Sequence, residues 1–209
     1  MADLFPGVIL SGGRSSRMGE PKALLPFGSG RLIDHAAARL APQVSRIYLN
    51  SNDPDIALPQ ITSFADRFAD FPGPLAGIHA SLTFISEHPG NQTTHVVIVP
   101  VDAPFFPLDL VACLGAALIG PDDIALTTSG GQMHPVMGLW PLSVTTRLSK
   151  WLENPPTLKV RTFLADLPVR TVAFAPIATP LGEIDPFFNV NTKLDLERAR
   201  EILDAGFSD

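Results

Sequence analysis

The stretch Val8–Lys22, VILSGGRSSRMGEPK, opens with three apolar residues. It then breaks into Ser11-Gly12-Gly13, two arginines, a third glycine and a lysine. Gly7 to Ser11 reads as a first strand, buried because it is a run of Val, Ile and Leu. The glycines that follow let backbone N–H groups approach an oxyanion and form an anion-binding concavity. Arg17 and Lys22 add positive charge to it. The plain alternative is an ordinary strand-to-helix loop with solvated charges. Two familiar phosphate motifs are excluded. Gly12 and Gly13 are adjacent, so G-x-G-x-x-G is absent, and Lys22 stands between Pro21 and Ala23, so there is no Walker A loop.

Outward from this stretch, short apolar runs alternate with helical patterns. Arg31–Pro42 has apolar residues at helical spacing and stops at a proline. Arg46–Asn50 and Ile61–Asp66 read as the next two strands. Pro74–Ser86 reads as a helix entered through Gly-Pro. Thr94–Asp102, THVVIVPVD, is the clearest buried strand. Pro107–Ile119 reads as a helix. Asp123–Thr128 and His134–Trp140 read as two strands joined by a turn at Ser129–Gly131. Ser143–Asn154 and Thr157–Leu167 read as helices, Arg170–Ala175 as a late strand, and Thr192–Gly206 as a final helix closed by glycine. The alternation predicts an α/β fold: a three-layer, mostly parallel, Rossmann-like sheet with a small antiparallel insertion, in one domain over residues 1–209.

The composition narrows the function classes. The chain has 209 residues, 45% of them hydrophobic and 17% charged, enough to bury a sizeable core. Its formal net charge of −6 argues against nucleic acid as a partner, which needs a basic face. The positive charge near Arg17 is therefore local and suits a small anion. The single cysteine, Cys113, builds neither a disulfide framework nor a cysteine zinc site. In the apolar run DLVACLGAAL it reads as a buried helix residue. No apolar segment is long enough to span a membrane and no leader pattern is visible, so the expected compartment is the cytoplasm.

Other stretches add chemistry at the edge where the loop lies, since ligands of such sheets bind at the carboxyl ends of the strands. Asp102 follows a buried strand, and a carboxylate there can hold Mg²⁺; the plain alternative is a turn-forming Asp. DFPGPLAGI supplies Gly73 and Gly77 around a helix start, where backbone and dipole favour an anion. Asn189 and Asn191 precede the last helix. One can serve as its N-cap, and alternation about Val190 points both the same way from an extended segment.

These motifs together resemble a known family. LSGGRSSRMGEPK is similar to the signature L-x-G-G-x-S-x-R-M-G-x-x-K of nucleotidyltransferases acting on the molybdenum cofactor. DFPGPLAGI, VPVDAPFF and NVNTKLDL match further motifs in the same order. The combination resembles the molybdenum cofactor guanylyltransferase family, from Val8 to the final helix. The opening motif alone marks only the wider superfamily. The family often has Ala where this chain has Ser11. The phrase GEPKALLPFGSG leans towards the sister cytidylyltransferases, which lack GPLAG. Cytidylyl transfer, or another NTP-dependent nucleotidyl transfer, is the alternative activity. A non-catalytic nucleotide-binding protein of the same fold is the alternative class.

The resemblance implies transfer of GMP from GTP to the phosphate of molybdopterin, with pyrophosphate leaving and Mg²⁺ as cofactor. It implies that Leu10, Ser11, Gly12 and Gly13 wrap the nucleotide with Lys22 on its phosphates, that Asn50 and Asp66 contact the guanine nucleotide, and that Asp102 is the metal ligand. Arg17, Lys22 and Asp102 form the catalytic set, and Gly73, Gly77, Asn189 and Asn191 fall on substrate-binding positions. Molybdenum-cofactor insertion proteins and target enzymes are the implied protein partners. Because a phosphate nucleophile is already anionic, positioning and electrostatics should carry the catalysis. No Ser–His–Asp set is expected among the five scattered histidines. His134, before a proline, reads either as facing the pterin or as structural. Trp140 and Trp151 read as packing residues.

Overall fold

The structure, a computed structural model, describes residues 5–12, 20–68, 73–88 and 93–207. In chain order the strands are β1 (Gly7–Leu10), β2 (Pro26–Phe27), β3 (Gly30–Arg31), β4 (Ile47–Asn50), β5 (Thr62–Phe64), β6 (His95–Pro100), β7 (Ile124–Ser129), β8 (Gln132–Pro141), β9 (Val169–Ala173), β10 (Ile177–Thr179) and β11 (Gly182–Ile184). The helices are α1 (Leu32–Leu40), α2 (Pro74–Glu87), α3 (Leu110–Ala116), α4 (Thr145–Glu153), α5 (Val160–Phe163) and α6 (Lys193–Asp204).

A seven-stranded sheet runs in the order β5-β4-β1-β6-β8-β7-β9. Neighbours are parallel except at β8, which is antiparallel to both β6 and β7. The expected mostly parallel α/β sheet is what is observed. Period-two alternation sorts the strand residues between its faces. Val8, Leu10, Val96 and Ile98 pack with Leu75, Ile78 and Leu82 of α2 and Leu148 and Leu152 of α4. Ile9, Leu49, Val97 and Val99 pack on the other face with Ile33, Ala36 and Leu40 of α1 and with Leu110 and Leu114 of α3. Buried on both sides, β1 and the Val96–Val99 stretch of β6 carry only apolar side chains, which is why they read so clearly as apolar runs.

The antiparallel element is the β7–β8 hairpin. Its turn residues Gly130 and Gly131 have φ of +52° and +76°, the pair of left-handed conformations that a two-residue hairpin turn requires. Two small antiparallel pairs, β2–β3 and β10–β11, were not expected. Their strands are two and three residues long, too short to show a period. Leu25, Phe27, Phe105, Ile184, Val190 and Ile202 form a third apolar cluster that seats α6. The expected helix over Thr157–Leu167 shrinks to α5. Thr157 Oγ1 accepts Lys159 N–H at 3.2 Å and Thr157 O accepts Trp151 Nε1–H at 3.0 Å, which commits 157–159 to a turn.

Trp140 is fully buried beside α2 and α4, and Trp151 packs edge-on to Phe163 with ring centroids 5.4 Å apart, so both tryptophans pack as expected. Cys113 lies on α3, only partly buried, where desolvation pushes its thiol pKa up. A thiol with a raised pKa is a poor nucleophile at neutral pH.

Candidate active site

Hydrogen bonds beyond the strand ends bring several candidate residues to one edge of the sheet. Ser11 N–H donates to Asn50 O (2.9 Å), Val101 N–H to Leu10 O (3.0 Å) and Ser51 N–H to Phe64 O (2.9 Å). Leu10, Ser11 and Gly12 thus leave β1 between Asn50 at the end of β4 and Asp102 just beyond β6. Among the described residues Ser11 Oγ is buried without a partner, and a Cβ added to the exposed Gly12 would meet nothing within 4 Å. Gly13 and Arg17 lie outside the described residues.

Lys22 opens a short 3₁₀ turn, Lys22–Leu24, immediately after Pro21. Its Nζ donates to Asp102 Oδ2 at 2.9 Å and to Asn191 Oδ1 at 2.7 Å. The two charged side chains are 20% and 22% exposed, so the pair sits in a cleft with one side open to solvent. Asp102 is fixed from behind, since its carbonyl accepts Val190 N–H at 2.8 Å. Val190 is fully buried while Asn189 and Asn191 are exposed, so the expected alternation holds although the segment is not a strand. The N-cap of α6 is neither asparagine but Thr192. Its Oγ1 accepts Asp195 N–H (3.1 Å), and Asp195 Oδ2 accepts the N–H groups of Asn191 (3.0 Å) and Thr192 (2.8 Å). This capping box sets where Asn191 stands. Burial would raise the Asp195 pKa, but these hydrogen bonds and the nearby Lys22 charge outweigh it and hold the carboxyl below the usual range.

On the opposite flank, Asn50 is buried and its Nδ2 donates to Asp66 Oδ1 at 3.0 Å. Asn52, which the sequence reading missed, clamps the same carboxylate. Asn52 Nδ2 donates to Asp66 Oδ2 (2.9 Å), and Asp66 N–H returns a bond to Asn52 Oδ1 (2.7 Å). The Asp66 carboxylate is thereby oriented by one amide on each oxygen. Gly77 lies buried on α2 directly beneath. A Cβ there would stand 2.8 Å from Asn50 Oδ1 and 3.3 Å from Leu10 Cδ2. Its place is against Asn50, not in the open cleft. Gly73 caps α2 from an exposed position, with Pro74 as the first helical residue.

A further polar group of a serine, a histidine and an aspartate, which sequence spacing did not suggest, converges beyond β6. Ser129 Oγ donates to Asp185 Oδ1 (2.7 Å) and lies 2.7 Å from His134 Nε2. The serine is central, unlike a hydrolase triad, in which histidine is. The turn joins Ser129 to His134, but Asp185 arrives from 56 residues away, so sequence spacing gave no signal. Asp185 also accepts Phe187 N–H at 2.8 Å. The segment 185–191 is thus anchored at one end on Ser129 and at the other on Asp102 and Lys22.

The arrangement suits an anionic substrate met by fixed charge. Among the described residues no group of three or more His, Cys, Asp or Glu side chains could cage a metal. Asp102 nonetheless suits a hard cation that draws its other ligands from phosphate and water: Lys22 occupies Oδ2, and no protein donor takes Oδ1 among the described residues.

Residues 7–171 match the family model described as the MobA-like NTP transferase domain. The chain is 43% identical over 199 residues to a molybdenum cofactor guanylyltransferase of Rhizobium johnstonii, covering 95% of this chain and 93% of that protein. Its fold is similar to the crystal structure of molybdopterin-guanine dinucleotide biosynthesis protein A from Archaeoglobus fulgidus, with a TM-score of 0.73 at 20% identity, over 96% of this chain and 99% of that one. A Mycobacterium tuberculosis protein crystallised in complex with manganese aligns with a TM-score of 0.67 at 17% identity, over 96% of this chain and all (100%) of that one.

Proposed function

We propose, from the premise that this chain belongs to the MobA-like NTP transferase family, that it is a molybdenum cofactor guanylyltransferase. It transfers GMP from GTP to the phosphate of molybdopterin and releases pyrophosphate. The observation that carries this reading is Lys22, whose ammonium joins Asp102 beside the nucleotide loop to Asn191 before α6. A phosphate oxygen of molybdopterin forms the new bond to the α-phosphorus of GTP. The α–β bridging bond breaks, and its electron pair leaves with pyrophosphate.

The chain's own groups do three things in this reading. Leu10, Ser11, Gly12 and Gly13 wrap the nucleotide. Asp66, held by Asn50 and Asn52, accepts the adjacent N1–H and 2-amino donors of guanine, a pair that cytosine lacks. Lys22, with Arg17, neutralises charge that grows on the departing pyrophosphate. Gly73 at the helix start and Asn189 and Asn191 on the opposite rim receive the acceptor, and Gly77 leaves room for Asn50. Asp102 would hold Mg²⁺, whose role when bound is to neutralise phosphate charge at the point of transfer. We take the catalytic unit to be one domain over residues 1–209 working in the cytoplasm. No helix among the described residues is long and apolar enough to cross a membrane.

The test is to supply purified protein with Mg²⁺ and molybdopterin under anaerobic conditions, with GTP, CTP or ATP in turn, and to identify the product by mass spectrometry. Molybdopterin guanine dinucleotide from GTP alone is the expected result. A cytosine dinucleotide as the main product would move the chain to the cytidylyl class.

A further inference from the structure

The sheet order divides the edge into two halves. The nucleotide loop, Asn50 and Asp66 belong to β1, β4 and β5, on one side of β6. Ser129 and His134 belong to β7 and β8, on the other side. With strands about 4.8 Å apart, β8 and β7 stand roughly 5 and 10 Å beyond β6, within reach of a substrate whose phosphate meets the nucleotide at Asp102. That half of the edge is where the acceptor must lie if the nucleotide fills the first.

The hydrogen bonds there determine where the imidazole proton sits. The Ser129 hydroxyl, 3% exposed, has one proton. The Asp185 carboxylate can only accept, and it takes that proton at 2.7 Å while also accepting Phe187 N–H. The 2.7 Å bond between Ser129 Oγ and His134 Nε2 therefore draws its proton from the ring. With the proton on Nε2, a neutral imidazole carries a bare lone pair on Nδ1. Burial, helped by the Arg161 cation and opposed by Asp185, pushes the His134 pKa below its usual value, so the ring is neutral at pH 7. The Phe187 ring, centroid 4.8 Å away, packs against the imidazole. Nδ1 has no protein partner among the described residues.

We propose that His134 is an acceptor-binding residue: its Nδ1 lone pair accepts a hydrogen bond from a ring N–H or the 2-amino group of the pterin, and Ser129 and Asp185 keep that lone pair on Nδ1. The pterin is rich in N–H donors, so an acceptor of fixed tautomer is the matching chemistry. This rests on molybdopterin being the acceptor substrate.

The test varies molybdopterin at saturating GTP and Mg²⁺ for the wild type, His134→Gln and Ser129→Ala, with GTP affinity measured separately by calorimetry. His134→Gln keeps a donor towards Ser129 but removes the Nδ1 lone pair. Its KM for molybdopterin rises roughly tenfold, the value of one good hydrogen bond, while GTP affinity is unchanged. Ser129→Ala releases the tautomer and raises the same KM by roughly threefold. In the wild type, nitrogen NMR shows His134 Nδ1 as the unprotonated ring nitrogen, and its resonance moves when molybdopterin is added. A molybdopterin KM within about twofold of wild type in His134→Gln overturns the proposal. So does a parallel loss of GTP affinity, as a purely structural role requires. If His134→Gln does not fold, the spectrum decides, and a protonated Nδ1 or one unmoved by molybdopterin overturns it. A wild type that makes the guanine dinucleotide while His134→Gln behaves normally refutes this inference alone. A wild type that does not use molybdopterin refutes the function beneath it.

Discussion

Lys22 Nζ lies 2.9 Å from Asp102 Oδ2, across 80 residues of chain, and the same ammonium reaches Asn191, 169 residues away. One cation thus closes a contact between the turn at Lys22–Leu24, the end of β6 and the start of α6. In the proposed reaction, Lys22→Ala would leave backbone N–H groups near Gly12 to hold GTP but remove charge from the point of transfer. By analogy with loss of a preorganised electrostatic donor, kcat falls about 10²–10³-fold. GTP affinity falls much less. Steady-state kinetics with a separate GTP titration checks this, and a near-normal kcat contradicts it.

Gly77→Ala sets helix propensity against packing. Alanine in a helix interior is favoured over glycine by about 0.5–1 kcal/mol. Here the added methyl meets Asn50 Oδ1 at 2.8 Å, and Asn50 is buried and bonded to Asp66. The carboxamide must move, and Asp66 loses a donor. GTP Kd rises about tenfold and Tm falls, because overpacking of about 1–3 kcal/mol at this buried site outweighs the helix gain. Calorimetry and thermal melts on the same preparation check both parts.

Asn52 offers a test of base recognition. Its Nδ2 holds Asp66 Oδ2 while its Oδ1 accepts the Asp66 backbone N–H, so it fixes both the carboxylate and the chain that carries it. If that carboxylate reads N1–H and the 2-amino group, the wild type binds ITP, which lacks the amino group, about tenfold more weakly than GTP. Asn52→Ala lets the carboxylate swing, so the gap between GTP and ITP narrows. Competitive titration with the two nucleotides measures it; an unchanged gap argues against the clamp.

Acid should destabilise the fold well above the carboxylate range. Burial pushes the pKa values of His79 and His95 below the usual imidazole value of about 6.5. The unfolded chain takes up these protons more readily. Their contribution to stability is therefore complete above about pH 6.5 and is lost as pH falls from there towards the folded values. Asp34, held down by its bond from Arg31, loses its contribution only below about pH 4. Tm should drop between about pH 7 and 5, and less so in His79→Gln. Equal slopes in variant and wild type contradict this.

The readable parts of the chain were those in which one physical demand dominates. Val8–Leu10 and Val96–Val99 are buried on both faces and could only be apolar, so the central strands, and with them the edge where Asp102 and Asn50 sit, could be read directly. What could not be read depends on meetings between distant residues. Nothing local in Lys22 announces Asn191, and Ser129 and His134 look like hairpin residues until Asp185 arrives. Asn52 gives no local signal because its contact is with Asp66, 14 residues further on. The shortened helix at Val160–Phe163 reflects a side-chain-to-backbone bond at Thr157, which competes with helix formation in a way that apolar spacing does not register.

In the proposed reaction the phosphate of molybdopterin attacks the α-phosphorus of GTP and displaces pyrophosphate at the place where Lys22 and Asp102 meet. It is tested most directly by following pyrophosphate release from GTP by the wild type and Asp102→Ala, with and without molybdopterin, at saturating Mg²⁺. The expected result is one pyrophosphate per dinucleotide formed, no release without molybdopterin, and loss of most turnover in a folded Asp102→Ala. Release of inorganic phosphate in place of pyrophosphate, release that does not depend on molybdopterin, or an Asp102→Ala variant as active as wild type would contradict it.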